Sequence, residues 1–118
     1  MTATVLVAVA LASAGCTAPA PTAPAGVQQK IESASSRSDH EDIAAQYERQ
    51  AGLDAASAER HQGYASTYRK NRSLRGGLEA HENLAKHCDT LARTYQQATD
   101  ENLVLAKLHR DLAAGVVR

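Results

Sequence analysis

Between His81 and Val116, residues that suit a buried seam recur three and four positions apart: His81, Leu84, Cys88, Leu91, Tyr95, Ala98, Asn102, Leu105, His109, Leu112 and Val116. A strand would repeat every second residue. This spacing marks one face of a helix, and its seven-residue regularity marks a helix packed lengthwise against another. The pattern predicts a helix from roughly Leu78 to Ala114, on the order of 50 Å long. Gly115 supplies a stop, and Lys107 and Arg110 complement the negative end of the helix dipole.

A second helix is predicted upstream. Ser38-Asp39-His40-Glu41 has the form of a capping box, with the serine hydroxyl and Glu41 exchanging hydrogen bonds with the backbone, so this helix is expected to start there. Ile43, Tyr47, Ala51, Ala55, Ala58, Ala65 and Tyr68 then recur near helical spacing, and no proline intervenes before about Ser73. Gly52 and Gly63 each cost roughly 1 kcal/mol against alanine inside a helix, which marks Gly52 as a place for a bend. Arg75-Gly76-Gly77 is expected to end this helix and turn the chain. The two segments also resemble each other: Ile43-Ala44-x-x-Tyr47 recurs as Leu91-Ala92-x-x-Tyr95, and Ala58-x-x-His61 as Ala106-x-x-His109. With four Tyr, no Phe and no Trp, the chain cannot fill a thick core. The expected fold is all-α, an antiparallel helical hairpin over residues 38–118 with a coiled-coil-like seam, and a four-helix bundle if two copies associate.

The N-terminal third has a different character. Val5 to Gly15 is apolar and small, too short to span a bilayer as a helix, and reads as an export signal over residues 1–15. All three prolines fall in Thr17-Ala18-Pro19-Ala20-Pro21-Thr22-Ala23-Pro24-Ala25-Gly26, a composition that forms an extended spacer. Val27 to Ser36 is serine-rich and is read with it as linker, giving a tether over residues 16–37. Ala14-Gly15-Cys16, with aliphatic residues upstream, resembles the lipobox of bacterial lipoproteins. That resemblance implies cleavage before Cys16 and attachment of a diacylglyceryl group to its thiol. Ser13 stands where the family carries leucine, with Leu11 displaced, and residues 1–15 contain no Lys or Arg. Ala12-Ser13-Ala14 also fits a small-residue cleavage site that would release a soluble periplasmic or secreted protein.

The chain has 13 basic and 13 acidic residues, all beyond residue 29, and no basic stripe of the kind nucleic acid requires. Chemistry-bearing residues cluster instead on the seam. With a turn near residue 75 and a register chosen so that facing residue numbers sum to about 149, His40 is set against His109, Tyr47 against Asn102, Asp54 against Tyr95, His61 against Cys88 and Tyr68 against His81. Layers of Ile43 with Leu105, Gln50 with Ala98, Ser57 with Leu91, and Tyr64 with Leu84 would alternate with them. Read structurally, the polar groups bond across the seam and fix its register. Read chemically, His61, His87 and Cys88 converge on a zinc, copper or haem iron, with His40 and His109 as a second pair. Neither His-x-x-x-His nor Cys-x-x-Cys occurs, and adjacent His87 and Cys88 point about 100° apart on a helix. With Cys16 acylated, Cys88 is the remaining thiol, either a buried apolar residue or an intermolecular disulfide. A narrow hairpin offers no pocket or oxyanion hole for nucleophilic catalysis.

The expectation is a cell-envelope lipoprotein facing the periplasm, held in the outer membrane by Cys16, without cofactor or catalysis. It would act through self-association or contact with another envelope protein. Thr17, in place of an aspartate after the cysteine, accords with the outer membrane by resemblance to lipoprotein sorting patterns.

Overall fold

The computed structural model describes residues 23–71 and 76–115. Three helices follow one another: α1 (Val27–Ser33), α2 (Arg37–Lys70) and α3 (Gly77–Ala113). α2 and α3 lie antiparallel along their whole length, and the short α1 packs on the α2 end remote from the turn. The hairpin is the expected fold.

The start of α2 lies two residues earlier than Ser38. Ser36 is the extended N-cap residue, its hydroxyl accepting from the Asp39 N–H at 3.1 Å. One oxygen of Asp39 accepts from the N–H groups of both Ser35 and Ser36, at 2.9 and 2.8 Å. One carboxylate thus satisfies two backbone donors ahead of the helix, and these bonds hold its pKa below the ordinary carboxylate value. Glu41, the expected box partner, instead pairs with Arg37 one turn back.

The segment read as linker contains a helix. Gly26 turns the chain at a φ of 74°, the Val27 N–H donates to the Pro24 carbonyl, and α1 follows. Val27 is buried against Ile43, Ala44, Tyr47 and Ala106. A single valine gives a local pattern no helical period, so the contact with the far end of the hairpin is what identifies this turn of chain as part of the fold.

Glycine also behaves differently from expectation. α2 runs unbroken through Gly52 and Gly63, both exposed, because alanines and tyrosines on its buried face hold it against α3. It ends at Lys70, where the Asn71 N–H bonds to the Thr67 carbonyl, before the expected Arg75-Gly76-Gly77. Gly76 and Gly77, with φ of 117° and 75°, open α3 instead of closing α2. Arg75 and Ser73 fall outside the described residues.

The largest correction concerns the seam of α3. His81, Cys88, Tyr95 and Asn102 are buried as expected, but the alternate buried positions are Ala85, Ala92, Thr99 and Ala106. The expected leucines, Leu84, Leu105 and Leu112, remain exposed, and Leu91 and Ala98 are half-buried. Val116 lies outside the described residues. On α2 the matching small row is Ala44, Ala51, Ala58 and Ala65. The reason is distance: the Thr99 hydroxyl reaches the Ala51 backbone carbonyl of the opposite helix at 3.4 Å. Helices that close have room for a methyl or hydroxyl between their backbones and none for an isobutyl group, so the alanine row turns inward and leucine turns out.

Candidate functional site

The seam therefore has two edges of different chemistry. Contacts across it join like heptad positions: Ala51 with Thr99 in the small row, and titratable or aromatic residues with one another in the other row. Beyond the small row the edge is closed by ions. Arg110 donates two hydrogen bonds to Glu48, at 2.8 and 2.7 Å, and Arg69 reaches Asp89 at 2.6 Å and Glu82 at 3.7 Å. These pairings lower the Glu48 and Asp89 pKa values and raise those of the two guanidinium groups.

The polar row forms a ladder from one end of the hairpin to the other. His40 and His109 meet through their Nδ1 atoms at 3.1 Å, so one imidazole donates and the other accepts. Tyr47 stacks on His109 with ring centroids 5.9 Å apart. Asp54, only 2% exposed, accepts from Asn102 at 2.9 Å and from Gln50 at 3.1 Å. His61 stacks nearly parallel on Tyr95 at 5.6 Å and meets the edge of Tyr64. Tyr68 and His81 face each other at 6.3 Å.

Two of the expected pairs, His40 with His109 and Tyr68 with His81, are these. Asn102 bonds to Asp54 instead of Tyr47, and Tyr95 stacks on His61 instead of Asp54, each one heptad along. His109 meets both His40 and Tyr47, two residues one heptad apart on the opposite helix, so both registers are used along the ladder. The expected interleaving layers are not the core: Ile43 is buried, but Leu105, Tyr64 and Leu84 are exposed and Gln50 and Ser57 half-exposed.

The residues considered as metal ligands separate. Cys88 is fully buried with Ala65 and Ala85 and is flanked by Tyr68. His87, one position earlier, is exposed, and His61 belongs to the aromatic stack. His87 and Cys88, adjacent on α3, point about 100° apart. Among the described residues no three His, Cys, Asp or Glu side chains are grouped to hold a metal ion. His40 and His109 do come together, as a pair. Cys16 lies outside the described residues.

Burial is the first cause of lowered pKa values at His61 and His109, reinforced by the charges of Arg60 and His87 at His61 and of His40 at His109. The Nδ1 atoms of His61 and His81 are buried without a hydrogen-bond partner. Neutral imidazole tolerates burial far better than imidazolium, so His61 and His109 favour the unprotonated form. The sequence reading missed the bond from Asn102 to Asp54 and the inward alanine row. The seven-residue spacing of Ala85, Ala92 and Ala106, beside that of Ala51, Ala58 and Ala65, was the signal for the row.

No described helix is long and apolar enough to cross a membrane. Comparisons with protein-family models, curated proteins and solved structures return no match.

Proposed function

We propose that this chain is a small cell-envelope lipoprotein, anchored through Cys16 in the outer membrane and facing the periplasm, that acts by protein contact without catalysis. The observation that carries the contact reading is the apolar stripe on the outside of α3, where Leu84, Leu105, Leu108 and Leu112 stay exposed although the helix is packed along its whole length. Leucines repeated along one helical face, beside a seam already filled by smaller residues, are the pattern of a surface that meets another protein. The Pro/Ala segment before Gly26 gives such a surface reach from the membrane. Lipobox resemblance supports the anchor.

Radiolabelled palmitate fed to bacteria expressing the full chain tests the anchor: label in the membrane fraction, abolished by Cys16→Ser, is expected. A processed, unlabelled chain in the periplasm or medium would replace the anchored protein with a soluble one cleaved after Ala14.

The Nδ1 atoms of His40 and His109, 3.1 Å apart, favour one alternative, a two-imidazole zinc or copper site at the end of the hairpin. Zinc or copper titrated calorimetrically into the full chain tests it: uptake lost in His40→Ala supports the site, and heats matching that variant dismiss it.

A further inference from the structure

We propose that the apolar edge of the hairpin is a self-association surface, on which α3 packs antiparallel against α3 of a second copy about a two-fold axis passing beside Ala98. The inference rests on the contact reading above and names the partner.

The two edges of the seam differ in charge. The edge beyond the alanine row is held by Glu48 with Arg110 and by Arg69 with Asp89 and Glu82. The edge beyond the polar ladder is flanked by Ile43, Gln50, Ser57 and Tyr64 on α2 and by Leu84, Leu91, Ala98, Leu105 and Leu112 on α3. Because cross-seam contacts join like heptad positions, and Tyr64 lies against His61 of the ladder, these two rows share one face of the hairpin. Neither row contains a formal charge.

The α3 row reads Leu-Leu-Ala-Leu-Leu at seven-residue intervals, the same in both directions. An isologous contact presents one patch to itself, with residue i meeting j and j meeting i. Antiparallel pairing of this row sets Leu84 against Leu112 of the second copy, Leu91 against Leu105, and Ala98 against itself. A row that reads the same in both directions lets a second copy meet it leucine to leucine, with the small Ala98 at the crossing. The three exposed leucines of the row, Leu84, Leu105 and Leu112, are 37% to 40% exposed, with part of each side chain left to cover.

The test uses the full chain with Cys16→Ser and Cys88→Ala, so that any disulfide reports an introduced thiol. Ala98→Cys is expected to give a covalent dimer on non-reducing gels under mild oxidation, because the axis brings that residue to its own copy. Gln96→Cys, on the ion-paired edge, is expected to stay monomeric. Sedimentation equilibrium of the Cys16→Ser chain should show a dimer, and Leu105→Glu, at an exposed position, should weaken association at least tenfold with helical circular dichroism unchanged. A monomeric parent chain, a dimer indifferent to Leu105→Glu, or crosslinking at residue 96 equal to that at 98 would overturn the proposal. Failure of the broader contact reading looks different. If the chain is monomeric and Leu105→Glu abolishes crosslinking to another envelope protein in cells, the contact reading stands and the second copy falls. If Leu105→Glu changes neither, both fall.

Discussion

The hydrogen bond from Asn102 to Asp54 is a sensitive point in this hairpin, because both residues lie in a seam otherwise filled by alanine and rings. Asn102→Leu removes the donor at 2.9 Å and leaves a buried carboxylate supported only by Gln50 at 3.1 Å. A hydrogen bond to a charged group is worth about 1.5–3 kcal/mol, and stripping it from a buried acceptor exposes the desolvation cost at the upper end of that range. Asp54→Leu strands a neutral amide instead, at about 1–3 kcal/mol. Leucine shares the branched outline of either residue but is larger, so each substitution also carries an overpacking cost of about 1–3 kcal/mol in the close-set seam, and the double variant removes both partners together. It is expected to lose no more than these packing costs, since replacing both members of a buried polar pair by apolar groups is often neutral. The coupling energy of the cycle is then about 2 kcal/mol or more. Urea unfolding followed by circular dichroism, at one fixed protein concentration, measures all four corners. In a domain of this size each kcal/mol also moves the melting temperature by about 4–8 °C. Single losses that simply add in the double variant, to within about 0.5 kcal/mol, would refute the bond as an energetic unit of the seam.

Other expectations follow from particular contacts. Gly52 lies inside α2, where an added Cβ meets no atom within 4 Å, so Gly52→Ala should stabilise the hairpin by about 1 kcal/mol; a lowered melting temperature would show that α2 needs flexibility there. Val27→Ala removes two methyl groups from the contact with Ile43 and Tyr47 and should cost about 1–2 kcal/mol; an unchanged urea midpoint would mean that α1 is only loosely docked. Burial depresses the pKa values of His61 and His109 below their ordinary 6.5, so the unfolded chain binds protons before the folded one does. Stability should therefore be full at neutral pH, fall as pH drops below about 6.5, and level off once the folded imidazoles are protonated too. The carboxylates of Glu48 and Asp89 have lowered values and lose their contribution only below about 4.5 and 3.8, so His61→Gln with His109→Gln should flatten a urea-midpoint profile between pH 5 and 6.5. A profile identical to the parent's would remove the histidines from the explanation.

Much of this architecture was legible in residue spacing. The heptad run of α3, the Gly76-Gly77 turn and the absence of proline after residue 24 point to a two-helix hairpin, and the meeting of His40 with His109 agrees with the register chosen for a turn near residue 75. The start of α2 was ambiguous because Ser36-x-x-Asp39 and Ser38-x-x-Glu41 both have capping-box form, and the better one satisfies two backbone donors with one carboxylate. α1 was hidden because one buried valine has no periodicity of its own. The candidate site was legible as a set of polar seam residues, but the partner of each rung was not, since both registers, one heptad apart, are used along the ladder.

Sequence by itself determined that the chain makes two long helices, that they run antiparallel, and that histidine, tyrosine, asparagine and aspartate share their seam. The tertiary structure alone decided which small or large residues lie beside that polar row. Hydrophobicity favours burying Leu84, Leu105 and Leu112, yet the close approach recorded by Thr99 and Ala51 admits only Ala85, Ala92, Thr99 and Ala106. Leucine is turned outward by the separation of two backbones, a distance that no single helix contains, and that exclusion creates the exposed face on which the proposed function depends.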